Sequence, residues 1–89
     1  MNKKVSVVVW EKQDCPYCEE VKQHLADSGF EYQIVDVSGN DALREVLKVK
    51  YGVDHVPVVE IGFGNRYDAV TEIGIPKLEK TIRHYRMSS

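Results

Sequence analysis

Two cysteines, three prolines, six glycines and one tryptophan are all that the 89 residues hold of those types, and each shortage removes a class of protein. Two cysteines are too few for a disulfide-stapled scaffold or for the four ligands of a structural zinc site. The three histidines, His24, His55 and His84, lie too far apart to complete such a site. No proline- or glycine-rich linker, repeat or low-complexity stretch interrupts the chain, so residues 1–89 are expected to form one small domain. Neither sign of charge dominates: 12 Lys and Arg face 14 Asp and Glu. No basic stripe appears, and nucleic acid is not expected as a partner. Long apolar runs are missing too. "VSVVVW" at 5–10 is followed by "EKQDC" rather than a small-residue cleavage site, which does not fit a secretory signal. Nothing approaches the roughly 20 apolar residues of a membrane span. The expected compartment is the cytosol, where a close cysteine pair is more often catalytic or metal-binding than structural.

What is present alternates between two periodicities. Residues 5–10 are short and β-branched, which predicts a strand buried on both faces or nearly so. A helix is expected from Cys15, with Pro16 at its first position, Glu19 and Glu20 in its first turn, and Cys18, Val21 and Leu25 on one face. Gly29 is its expected terminator. "EYQIVDV" at 31–37 alternates as a second strand. "SGND" opens a second helix: Ser38 with Asp41 fits a capping box, and Asn40 fits equally well as the cap. Gly52 ends that helix. "VPVVEIG" at 56–62 and residues 66–71 read as a hairpin about "FGN". A last helix is expected from Ile75 or Pro76 to Arg86, with Leu78, Ile82 and Tyr85 inward. The order β-α-β-α-β-β-α predicts an α/β fold, a four-stranded mixed sheet flanked by three helices, with the first two strands parallel through a right-handed crossover.

Both cysteines fall in "QDCPYCEEVKQHL", residues 13–25. An inert buried pair fits poorly with a helix entrance, which usually faces solvent. A zinc site lacks its other ligands. The redox reading has the right context, because C-x-x-C here follows a strand and opens a helix in a βαβ unit. Unpaired N–H groups and the helix dipole favour an anion at Cys15, and Lys12 adds a positive charge. Lowering a thiol pKa from about 8.5 to about 7 gains only about threefold in attack, since nucleophilicity falls with basicity, but it makes a better leaving group. Cys15 is therefore the expected nucleophile. Cys18, one turn deeper, is the expected resolving thiol. Pro57 opens a strand that should be interior and fits either an edge strand or a cis Val56–Pro57 bond.

On "CPYC" at 15–18, "KQDCPYC" with its lysine three residues before the first cysteine, and "HVPVV" at 55–59, the chain resembles the glutaredoxin family over residues 5–86. That resemblance implies the thioredoxin-like fold and a glutathione-dependent thiol–disulfide oxidoreductase acting on protein disulfides or glutathione mixed disulfides. It implies that Lys12, Tyr17, Val56 and Pro57 line a glutathione groove, with Lys12 reaching a carboxylate, Val56 offering backbone hydrogen bonds and Pro57 cis. Gly74 is what remains of the family's "GG-x-DD" segment. Glutathione is the implied co-substrate, no metal is expected, and the chain is expected to act as a monomer.

The departures carry information. Pro76 and Lys77 stand where the resemblance expects acids, and Glu72 is displaced. A lysine there opposes the ammonium of glutathione. A redoxin that serves ribonucleotide reductase and is recharged by thioredoxin reductase is the alternative. An iron–sulfur carrier fits less well, because such relatives mostly carry "CGFS" and Pro16 is rigid. A redox-inert binding module is the remaining class. His55 replaces the usual threonine, and reads either as tuning the thiolate or as a loop histidine with a local hydrogen bond. His24 and His84 read as helix-surface residues, and Trp10 as packing near the site.

Overall fold

The computed structural model describes residues 5–87. The order is β1 (Ser6–Glu11), α1 (Pro16–Asp27), β2 (Gln33–Asp36), α2 (Asp41–Tyr51), β3 (Val58–Phe63), β4 (Arg66–Val70) and α3 (Ile75–Met87). The strands form one sheet in the order β2-β1-β3-β4. β1 runs parallel to β2 and antiparallel to β3, and β4 closes the edge as the second arm of the hairpin. This is the mixed sheet expected from the order of elements.

Side chains alternate across β1, and the alternation builds two cores. Val7 and Val9 point to one face, with Val59, Ile61 and Val70 from the neighbouring strands. Val21 and Leu25 of α1, and Leu78, Ile82 and Tyr85 of α3, cover that face. Val58 and Trp10 point to the other face, where Val37 and Leu47 of α2 close a smaller cluster. Each fully buried Leu, Ile or Val contributes about 1.5–3 kcal/mol.

Local signals explain the element ends. Phe30 N–H bonds the Leu25 carbonyl at 3.0 Å and Gly29 N–H bonds that of Ala26 at 3.1 Å, the paired closure that satisfies the last carbonyls of a helix. At α2 the open choice of cap resolves to Asn40, whose Oδ1 accepts from Leu43 N–H at 3.1 Å. Ser38 is used elsewhere: its hydroxyl accepts from Gln13 N–H at 2.7 Å and so ties the second crossover to the loop before Cys15. β2 is shorter than the alternating stretch 31–37. β3 starts two residues later than the pattern suggests, because Val56–Pro57 is cis and proline brings no N–H to the ladder.

His24 departs from the surface reading. It is half-buried, its Nε2 lies 2.6 Å from Glu79 Oε1, and Arg83 holds the other oxygen at 3.2 Å, so the cluster joins α1 to α3. The His24 and Arg83 hydrogen bonds hold the Glu79 carboxyl below the usual range. Among the described residues no helix is long and apolar enough to cross a membrane.

Candidate active site

β1 ends at Glu11, and the chain must turn sharply to start α1. Asp14 makes the turn with φ 57°, a left-handed conformation that aspartate tolerates better than most residues. Cys15 then occupies the N-cap in extended geometry, and Pro16 fills the first helical position. Lys22 fixes the approach from the helix side. Its ammonium lies 2.7 Å from both Glu11 and Glu19, and these carboxylates raise its pKa well above the ordinary lysine value.

Cys15 and Cys18 are joined in a disulfide, with Cα atoms 5.2 Å apart. Cys15 Sγ also accepts the Cys18 N–H at 3.2 Å. The sulfur thus faces an amide freed by the helix start, where negative charge is favoured. One expectation needs correction. A helix entrance should leave Cys15 open to water, yet only 6% of its surface is exposed, against none for Cys18. Each sulfur covers the other in the oxidised pair, which removes area from both. The order of access still favours Cys15.

A cavity of about 100 Å³ is lined by Lys12, three residues before Cys15, with Arg44, Asp54, His55 and Val56 over a floor of Val37, Leu47 and Val53. Two cations face one carboxylate, so the walls suit an anionic group of a few atoms. Of the residues chosen from sequence, Lys12 and Val56 meet here. Pro57 is buried behind its cis bond. Tyr17 stands half-exposed on the first turn of α1, outside the cavity. Gly74 also lies outside it, in the turn before α3, with a φ of 123° that side chains rarely adopt. Lys77 is in the first turn of α3.

Sequence reasoning missed Arg44 and Asp54. Arg44 precedes buried Leu47 by three residues, so the periodicity that marked Leu47 as inward also put a cation on its flank. It missed Glu60 as well. Trp10 Nε1–H donates to Glu60 Oε1 at 2.8 Å, Lys50 Nζ lies 2.7 Å from Oε2, and the Tyr51 hydroxyl donates to the same oxygen. Burial pushes the Glu60 carboxyl up, but the three donors outweigh it and hold it below its ordinary range. Tyr51 is pushed up, first by burial and then by Glu60. A polar residue within a strand gives no periodic sign of three partners on other elements. His55 is placed by its ring: Nε2 lies 2.6 Å from the Thr71 carbonyl oxygen, which joins the loop before Pro57 to the end of β4.

A strand that delivers a C-x-x-C disulfide to a helix N-terminus, with a cis proline opening the antiparallel neighbour strand, defines a thioredoxin-like dithiol domain. Residues 7–63 match the sequence pattern of the glutaredoxin family, and the chain belongs to that family. Among its relatives is the N-acetyl-S-hydroxy-L-cysteine reductase of Bacillus subtilis, 53% identical over 85 residues that span 96% of this chain and 91% of that one. Glutaredoxin 3 of Escherichia coli is 34% identical over 56 residues, 63% of this chain and 68% of that one. The crystal structure of a thioredoxin-like protein superposes with a TM-score of 0.68 at 30% identity, covering 83% of this chain and 96% of that one. The chain is a thiol–disulfide oxidoreductase with a redox-active C-x-x-C motif.

Proposed function

We propose that the Cys15/Cys18 dithiol reduces a small oxidised cysteine derivative that bears a carboxylate, as its sulfenic acid or a mixed disulfide. The observation that carries this reading is the small cationic cavity of Lys12 and Arg44, lined from the loop that leads into Cys15. The Bacillus subtilis relative is named for reduction of a sulfenic acid of N-acetylated cysteine, which supports that substrate class here. N-acetylation removes the ammonium and leaves the carboxylate as the substrate's one charge. Lys12 and Arg44 suit that charge, and Lys77 stands where the family resemblance expects acids.

The reaction balances in two steps. The Cys15 thiolate attacks the sulfur of R–S–OH. An S–S bond forms, the S–O bond breaks, and hydroxide leaves as water after gaining a proton. The Cys18 thiolate then attacks Cys15 Sγ, releasing R–S⁻, which is protonated, and closing the intramolecular disulfide. The substrate gains two electrons and the protein loses two.

Two sources of electrons are consistent with the site. In the first reading, two glutathione molecules reduce the disulfide and leave as glutathione disulfide, the reductant the family suggests. In the second, thioredoxin reductase recharges it. Pro76 and Lys77 favour that route, because a lysine repels the glutathione ammonium, and protein disulfides, ribonucleotide reductase among them, are then the alternative substrates. In either case the protein acts as a monomer in the cytosol. The test is a panel: N-acetylcysteine sulfenic acid, its mixed disulfide and a protein disulfide, each with glutathione or with thioredoxin reductase. Turnover of the N-acetylcysteine species that Cys15→Ser abolishes is the expected result. Turnover of protein disulfides alone overturns the small-substrate reading.

A further inference from the structure

We infer that Ser38 is a positioning residue for Cys15: its hydroxyl holds the loop that sets the first sulfur at the mouth of α1. The inference needs only the dithiol chemistry and stands apart from the choice of substrate. Residues 12–14 turn the chain from β1 into α1 on little support. Asp14 is left-handed there, with φ 57°, a conformation that a residue with a side chain leaves unless its neighbours enforce it. Among the described residues, one hydrogen bond holds this loop, from Gln13 N–H to Ser38 Oγ at 2.7 Å. The loop passes directly into Cys15, whose extended backbone, φ −116° and ψ 99°, lets Sγ accept the Cys18 N–H at 3.2 Å. A change of Asp14 to a commoner conformation redirects the chain at Cys15 and takes the sulfur off that amide. The freed amides and the helix dipole are what favour the thiolate. Loop conformation and charge on the sulfur are therefore linked.

Ser38 is itself firmly held, which is what makes it an anchor. Val37 N–H bonds the Glu11 carbonyl at 2.8 Å, and Asn40 N–H bonds the Val37 carbonyl at 3.0 Å, so the turn between β2 and α2 is fixed on both sides of Ser38. Ser38 N–H donates to Asp36 Oδ1 at 2.8 Å. That N–H, and then the Ser38 hydroxyl, hold the Asp36 carboxyl below its ordinary range. The hydroxyl thus gives its proton to Asp36 and offers its lone pairs to Gln13. A hydroxyl that donates to a carboxylate is the stronger acceptor for it. The cap of α2 runs through other atoms, Asn40 Oδ1 and Leu43 N–H, so the helix does not depend on the tether.

The test reads the sulfur without any substrate. The Cys15 thiolate is titrated by its ultraviolet absorbance in protein carrying Cys18→Ser, with Ser38 kept or replaced by Ser38→Ala or Ser38→Thr. A hydrogen bond of this kind biases a local equilibrium about fivefold. Ser38→Ala is therefore expected to lower the thiolate fraction about fivefold at pH values under the midpoint of the curve. Ser38→Thr keeps the hydroxyl and is expected to stay within about twofold. Asn40→Ala weakens the cap in the same turn. It is expected to lower the denaturation midpoint and leave the thiolate curve in place, which separates positioning from loss of stability. An unaltered curve in Ser38→Ala, or an equal displacement in Asn40→Ala, overturns the inference. Deuterium exchange of the unaltered protein is the second measurement. The Gln13 amide should exchange at least about fivefold more slowly than a free amide of the same sequence. An unprotected Gln13 amide overturns the tether whatever the variants do.

Discussion

Cys15 caps α1 and Cys18 lies in its first turn, yet only Cys15 keeps any exposure. On reduction, iodoacetamide is expected to label Cys15 first, and mass spectrometry of the singly alkylated protein checks the order. Cys18→Ser should keep the first step and stall as a mixed disulfide, visible as the mass of the substrate thiol added to the chain. On the proposed reading, Lys12 and Arg44 bind the substrate carboxylate. Replacing Lys12 by Met or Arg44 by Ala removes a charged hydrogen-bond donor worth about 1.5–3 kcal/mol. Each is therefore expected to raise KM for a carboxylate-bearing substrate about tenfold or more with little change in kcat. Steady-state kinetics on N-acetylcysteine mixed disulfide against its amide analogue checks this, since the amide should lose the distinction.

At the level of elements, the Glu60 cluster holds the C-terminal end of α2 to the sheet, and that end leads through Gly52 into the cavity loop. Glu60→Ala leaves the buried Trp10 N–H and Tyr51 hydroxyl without their acceptor, at a cost of about 2–3 kcal/mol. The same carboxylate sets a pH dependence. Its folded pKa lies below its unfolded one, so its ionised form stabilises the fold above the ordinary carboxylate value of about 4.3. That contribution is lost as pH falls below this value and through the lower folded one. Denaturation midpoints between pH 3 and 6 should therefore fall more steeply in the wild type than in Glu60→Gln. Gly62 governs the hairpin by close approach. A Cβ there would sit 2.6 Å from Tyr67 Cβ and 2.7 Å from the Arg66 carbonyl oxygen. Neither group swings aside, so Gly62→Ala is expected to cost about 2 kcal/mol in urea unfolding.

Across the whole molecule the two faces of the sheet are unequal. α1 and α3 share a large core, whereas α2 contributes a single fully buried side chain, Leu47, and leaves Val49 76% exposed. Amides of α2 are expected to exchange with deuterium at least about tenfold faster than those of α1 or α3, a gap of 1.4 kcal/mol or more in local opening. The sequence disclosed what repeats or what a single residue decides: strand and helix periods, Pro16 and Gly29 at helix ends, the C-x-x-C context, and Leu78, Ile82 and Tyr85 as the inner face of α3. It did not disclose what needs distant partners. The link of Ser38 to Gln13, the pairing of His24 with Glu79, the three donors on Glu60 and the meeting of Arg44 with Lys12 all join residues that only the folded chain brings together. The shielding of Cys15 was not legible for another reason: it belongs to the oxidised pair, in which each sulfur covers the other. The sheet register has a practical corollary. Ser6 pairs with Gly62 and Trp10 with Val58, so the bend at 63–65 lies at the end of the sheet remote from the sulfurs, roughly 17 Å along β3 from Val58. Immobilising the protein through Asn65 on a bead or electrode would turn its reactive end outward, leaving it open to dissolved reagents on a solid support.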